Sequence, residues 1–196
     1  MNKIYILFLL FVAGIFTTTA QTTWRADVAH SKVQFTVSHM VISEVSGRFQ
    51  DFDATLIQTK DDFSEGKLNA TIKVTSINTD NEKRDGHLKS PDFFDAEKYA
   101  AITFVSKSIK ATGKDTYKIA GDLTMHGITK PVVLDTKFNG QIVGPMGNTI
   151  SGFKATTTVN RKDYGIIWNK TLEAGGLLVS EDVDVVIIIE MTKEKK

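Results

Sequence analysis

The chain has 196 residues, with 24 Lys and Arg against 23 Asp and Glu, four His and no Cys. Without cysteine there is no disulfide, no thiolate metal site and no cysteine nucleophile. A balance this even, with lysines alternating with acids, lacks the basic surface that nucleic acid binding requires.

The first 20 residues, "MNKIYILFLLFVAGIFTTTA", hold one Lys at position 3, an apolar run from Ile4 to Phe16, and small residues at Thr18 and Ala20. This is the layout of a secretory signal peptide cleaved after Ala20. The run falls short of the ~20 apolar residues that span a bilayer. The expected organisation is a leader over 1–20 and one domain over 21–196. The domain should be periplasmic or secreted, without stable membrane insertion. Lys3 is the only charge of the leader, so the remainder has 23 basic and 23 acidic residues. Three prolines and no repeat or low-complexity stretch leave no linker to divide it.

From there the dominant pattern is alternation of apolar and polar residues, the mark of strands with one buried face. "KVQFTVSH" sets Val33, Phe35, Val37 and His39 on one side, and a second strand is expected over 46–58. "KLNATIKVTS" aligns Leu68, Ala70, Ile72 and Val74. A strand over 101–110 follows, then "TYKIAGDLTM" with Tyr117, Ile119, Gly121, Leu123 and Met125 in register. "VVLDTKFNGQI" aligns Val132, Leu134, Thr136, Phe138, Gly140 and Ile142; 149–161 makes a seventh strand; "VDVVIIIEM" closes with Val183, Val185, Ile187, Ile189 and Met191. The links "ATGKD", "HG" and "GPMGN" are short and rich in residues that accept positive φ, so neighbouring strands run antiparallel. Eight such strands either pack as two sheets or close into a barrel, and closure removes exposed edges. The mixture of large inward aromatics with Gly121, Gly140 and Gly152 suits either a tightly filled core or an elongated cavity.

One stretch breaks the pattern. "NTDNEKRDGHLKSPDFF", residues 78–94, packs charges together and ends in two phenylalanines. "TDNE" fits a capping box with Thr79 as N-cap and Glu82 three residues on. The helix should run over 80–90, stopping before Pro91, with a short turn from Ser90. With three turns at most and Gly86 inside, it must dock to persist.

The segments "WRADVAHSKVQFTVSH", "GRFQDF", "NTDNEKRDGHLKSPDFFDAEKYAAITF", "GDLTMHGITKPVVL", "GFKATTTVNRKDYGIIW" and "VSEDVDVVIIIE" resemble, in order and spacing, the YceI-like family of secreted bacterial lipid-binding proteins, from Trp24 to Glu190. One departure is Ala100, where the family commonly has proline after the tyrosine of "EKY". The resemblance implies an all-β fold: an extended eight-stranded antiparallel lipocalin-like β-barrel with one short helical insert capping it. It also implies an elongated apolar pocket for a polyisoprenoid or another long-chain, fatty-type lipid, with no cofactor. On that basis the candidate wall is Phe35, Val37, Phe52, Leu56, Ile72, Val74, Phe104, Leu123, Met125, Phe138, Phe153 and Ile187. The insert becomes a lid, with Leu88, Phe93 and Phe94 turned inward and Trp168 beside them. Arg84, Asp85 and His87 are then at hand for a polar head group, or hold the segment down through other charges.

No catalytic residue is nominated, because no GxSxG elbow or comparable feature places a nucleophile. No metal ligand is nominated either, since His30, His39, His87 and His126 lack the spacing of a helical zinc site. Arg161, Asp163, Tyr164 and Trp168 read as a barrel-end network with an aromatic lid. The expected activity is therefore non-enzymatic lipid binding. The rivals are a metal- or haem-associated binder on the same barrel and a lipid-modifying enzyme. Nothing in the sequence excludes a homodimer.

Overall fold

The computed structural model describes residues 21–60, 62–173 and 175–195. The expected signal peptide lies outside them. The described chain forms ten antiparallel strands and one helix: β1 (Thr22–His39), β2 (Ser43–Phe49), β3 (Phe52–Gln58), β4 (Lys67–Lys73), β5 (Ile77–Asn78), α1 (Glu82–Lys89), β6 (Ala101–Gly113), β7 (Thr116–Met125), β8 (Ile128–Val143), β9 (Thr149–Asn160) and β10 (Asp182–Lys193).

The ten strands make eight staves. The first half of β1 pairs with β3 and its second half with β2, so β2 and β3 are one stave kinked at Gln50 and Asp51. Likewise β4 pairs with β3 and β5 with β2, and the 3₁₀ turn Val74–Ser76 joins the two halves. From β4 the order runs through β6, β7, β8 and β9 to β10, which pairs back onto β1 and closes the barrel. Of the two arrangements the alternation left open, the closed eight-stranded barrel that the resemblance implies is present, with two of its staves broken. Closure removes the exposed edges that an open sheet would present.

The turns follow residue chemistry. The β7–β8 link is the two-residue turn His126–Gly127, with φ of 51° and 74°. Positive φ at both central residues matches the right-handed strand twist. Bulges reset the inward face. In β8, Phe138 pairs with Phe153 while Gly140, at φ 127°, pairs with Gly152, so one extra residue enters β8. That flips the parity beyond the bulge. Ile142, expected to point inward, is 64% exposed, whereas Ser151 is fully buried and donates to the Gln141 side chain at 3.0 Å. In β1, residues 28–31 lie opposite the single residue Ile189 of β10.

The helical insert begins later than expected. Its N-cap is Asn81, whose side chain accepts from the Arg84 backbone N–H at 2.9 Å, and not Thr79. Thr79 is buried and serves a different purpose, because its N–H and its hydroxyl both donate to Asp85. A turn starting at Ser90 then carries Phe93 and Phe94 against the barrel.

The alternating strands place two apolar clusters inside. One gathers Trp24, Leu56, Phe63, Ile109, Tyr117 and Phe153, toward the end bearing the β3–β4, β6–β7 and β8–β9 turns. The other gathers Phe49, Val74, Ile77, Phe93, Met125, Tyr164 and Ile166 under α1, at the opposite end.

Candidate functional site

Between the two clusters lies a cavity of about 410 Å³. That falls within the 300–1,000 Å³ usual for small-molecule sites. Its walls are overwhelmingly aliphatic and aromatic because every stave contributes its inward row. Val33, Phe35 and Val37 come from β1, and Val183, Val185, Ile187 and Ile189 from β10.

Of the wall residues expected from sequence, Phe35, Val37, Phe52, Leu56, Ile72, Phe104, Leu123, Met125, Phe153 and Ile187 line this cavity. Val74 and Phe138 do not. Val74 begins the 3₁₀ turn that interrupts the stave, which ends the period-two row, and it is buried in the cluster under α1. Phe138 sits behind the wall against Phe63 and Phe153, with ring centroids 5.4 and 5.3 Å away.

Gly121 and Gly47 make room for rings, whereas Gly140 and Gly152 face none. A Cβ on Gly121 would lie 2.5 Å from Phe104 Cζ and 2.5 Å from the Val105 carbonyl oxygen. One on Gly47 would lie 2.3 Å from Phe35 Cζ. Aromatic walls can lie flat only because these positions are empty.

Sequence reasoning missed the floor. Phe63 belongs to the β3–β4 turn, in the charged stretch "KDDFSEG", and is nevertheless only 5% exposed. Its ring stands 5.6 Å from Trp24 and 5.1 Å from Phe153, edge-on to the latter. Its φ of 61° and the bond from its N–H to the Lys60 carbonyl fold the turn back into the barrel end. The legible signal was a lone phenylalanine among charges, whose large apolar surface gains by turning inward.

The other end is the lid. Arg84, His87, Leu88, Phe93, Phe94 and Trp168 all line the cavity. His87, Phe93 and Trp168 form a triangle of rings with centroids 4.9–5.0 Å apart. His87 Nε2 also meets Asp92 at 2.9 Å. Asp85, expected at the mouth, is instead part of the anchor below the lid. Arg84 donates to the Thr79 hydroxyl at 2.8 Å and to its carbonyl at 2.7 Å, so Arg84 and Asp85 both grip Thr79. Buried at Asp85 and part-buried at Arg84, these bonds hold the insert without a broad apolar helix face.

Arg161 organises the loop between β9 and β10. It is 5% exposed, and it donates to the carbonyls of Ser180 at 2.9 Å and of Ile166 and Trp168 at 2.8 Å. Burial pulls its guanidinium below its ordinary pKa, opposed by Glu181. Burial likewise pushes the Tyr164 phenol up to about 12. The expected barrel-end network is therefore built on Arg161 and backbone carbonyls, while Asp163 is exposed.

The histidines stand in different settings. His39 and His87 line the cavity, and His126 Nδ1 meets the Tyr164 carbonyl at 2.9 Å. Among the described residues the one cluster able to offer three metal ligands is Asp27, His30 and Glu190, on the β1 bulge outside the cavity. There a hydrogen bond to His30 lowers the Asp27 pKa, and the same bond raises that of His30. No helix among the described residues is long and apolar enough to cross a membrane.

Residues 24–191 match the YceI-like domain family. A UPF0312 protein of Staphylococcus aureus strain MSSA476 is 44% identical over 163 residues, which is 83% of this chain and 92% of the relative. The solved YceI protein of Campylobacter jejuni superposes with a TM-score of 0.69 at 34% identity, covering 81% of this chain and 90% of that one. Two more distant structures share the fold. Burkholderia cenocepacia BcnA has a TM-score of 0.74 at 22% identity, covering 84% and 98% of the two chains. A polyisoprenoid binding domain from Saccharophagus degradans has 0.63 at 13%, covering 87% and 98%. A closed barrel around an apolar cavity, with sequence likeness along nearly all of it, places the chain in the YceI-like domain family.

Proposed function

We propose that the protein is a non-enzymatic carrier that holds one long-chain apolar lipid, a polyisoprenoid or similar amphiphile, in its barrel outside the cytoplasm. The observation that carries this reading is the cavity of about 410 Å³ with almost wholly apolar walls, floored by Phe63 and roofed by Phe93 and Trp168. An isoprenoid tail is all hydrocarbon, and its burial yields roughly 25 cal/mol per Å² of apolar surface removed from water. No reacting group need be positioned for that. The ten wall residues named above hold the tail, and Arg84, His87 and Trp168 stand beside the head group. The name of the Saccharophagus degradans neighbour supports the ligand class. The leader-like N-terminus supports export.

The test is to purify the protein from its native host, extract it with organic solvent and identify the released molecules by mass spectrometry, with metal analysis of the same sample. A stoichiometric long-chain lipid is expected. An empty extract accompanied by stoichiometric metal would sink the reading. Leu123→Asp places a charge on the wall and should abolish lipid uptake, with folding checked by circular dichroism.

A further inference from the structure

The barrel wall is interrupted beside β1. On the side of β1 that faces β2 and β3, residues 22–25 pair with β3 and residues 33–39 with β2, which leaves 26–32 without a ladder partner there. Across the break stands the kink of the β2–β3 stave, whose backbone bonds are made on its other side. Gln50 N–H donates to the Ser76 carbonyl at 3.2 Å, and the Asp51 carbonyl accepts from Lys73 N–H at 2.9 Å. The bulge of β1 and the kink thus face each other, each with its backbone out of the shared ladder.

A second cavity, of about 240 Å³, lies at this break. Val28 and Lys32 of β1 line one side of it, and Arg48 and Gln50 the other. Phe49 and Phe52 line it as well, and the same two residues line the central cavity. Each is only 7% exposed, so their rings are a common partition between the two spaces.

The ends of the barrel are fastened more firmly. At the floor, Phe63 is wedged against Trp24 and Phe153, and its N–H is bonded to the Lys60 carbonyl. At the lid, Arg84 and Asp85 hold Thr79, while Arg161 holds the carbonyls of Ile166, Trp168 and Ser180. The outer edge of β5 has no strand beyond it, but α1 lies against it and is held by the same Thr79 anchor. Passage at the lid must unmake buried hydrogen bonds, and passage at the floor must unpack a cluster of rings. Passage between β1 and the kink needs two rings to change rotamer and breaks no ladder bond.

We propose that the apolar ligand enters and leaves the barrel sideways, through this break, with Phe49 and Phe52 as the gate. The lip suits an amphiphile: Val28, 39% exposed, offers hydrocarbon, while Lys32 and Gln50 offer a cation and an amide to a polar head. Lid and floor then stay shut while the ligand exchanges. That the ligand is a lipid rests on the carrier reading, whereas the side route is tested apart from it.

The chain has no cysteine, so a single introduced one can be coupled selectively. Val28→Cys at the lip and Ile167→Cys at the lid end, where Ile167 is 69% exposed, are each coupled to a maleimide bearing a poly(ethylene glycol) chain. Access to the cavity is read by stopped-flow fluorescence of N-phenylnaphthylamine, a small apolar dye. Coupling at Val28→Cys should slow entry and exit at least tenfold and leave the equilibrium affinity unchanged, because a blocked route alters neither end state. Coupling at Ile167→Cys should alter neither rate, and uncoupled Phe52→Leu, with a smaller gate, should speed both. Geranylgeraniol, read by Trp fluorescence, should follow the same pattern. Parent-like rates in coupled Val28→Cys, equal or greater slowing in coupled Ile167→Cys, or parent-like rates in Phe52→Leu would overturn the proposal. A parent that exchanges the dye in the expected pattern but takes up no geranylgeraniol would leave the side route standing and count against the carrier reading alone.

Discussion

Truncating the floor of the cavity with Phe63→Ala separates packing from ligand capacity. Phe63 is 5% exposed and contacts Trp24, Phe138 and Phe153 at ring-centroid distances of 5.6, 5.4 and 5.1 Å. Phe→Ala in a filled core costs about 3–5 kcal/mol. One face of Phe63 already borders the cavity, so it has fewer packing partners than a fully enclosed ring, and the loss should sit near the lower bound, about 3 kcal/mol. At about 2–4 °C per kcal/mol for a chain of this size, the midpoint should fall by about 6–12 °C. The truncation also lengthens the cavity toward Trp24 and Phe138. A long apolar ligand can fill the added space, so it should raise the melting temperature of the variant more than that of the parent. The assay is thermal unfolding by circular dichroism, with and without a long polyprenol. A drop under about 2 °C would show that Phe63 does not plug the barrel. A full drop that ligand restores no better than in the parent would show that the space does not join the binding cavity.

Gly86 sits inside α1, and a Cβ at that position would meet nothing within 4 Å, so Gly86→Ala should stabilise the protein by about 1 kcal/mol, seen as a higher denaturant midpoint with unchanged slope. Gly121→Val meets Phe104 and the Val105 carbonyl at once; it should cost about 1–3 kcal/mol or more and expel the Phe104 ring into the cavity, read as a lower melting temperature together with weaker lipid uptake. Tyr164, with its phenol raised to about 12, binds its proton more tightly folded than unfolded. Between about pH 10, the unfolded value, and pH 12 the unfolded chain has lost that proton and the folded one has not, so stability falls as pH rises. Tyr164→Phe should lose less stability over that interval, measured by denaturant midpoints at pH 9 and 11.5.

How far these features were legible follows from the range of the interactions behind them. Inward rows such as Val33, Phe35 and Val37 or Val183, Val185 and Ile187 depend only on period two, which neighbouring residues write directly. The His126–Gly127 turn is equally local. Thr79 reads as a cap from sequence because a hydroxyl just before a helix serves as a cap or as a tertiary partner with the same residue pattern. Only the position of Asp85 in space decides between them.

The amino-acid order by itself determined the all-β class, the antiparallel neighbours, the insert with its inward phenylalanines and, through the ordered set of segments from Trp24 to Glu190, the family. These rest on side-chain alternation, turn chemistry and spacing, all of which act along the chain. Tertiary structure alone decided that two staves are broken, that a bulge at Gly140 turns Ile142 outward, that Phe63 floors the cavity and that Arg161 is held by carbonyls. The broken staves, the bulge and the Phe63 floor depend on the register of strands far apart in the chain, and the Arg161 bonds on how the loop after β9 folds back on itself; no local pattern carries either.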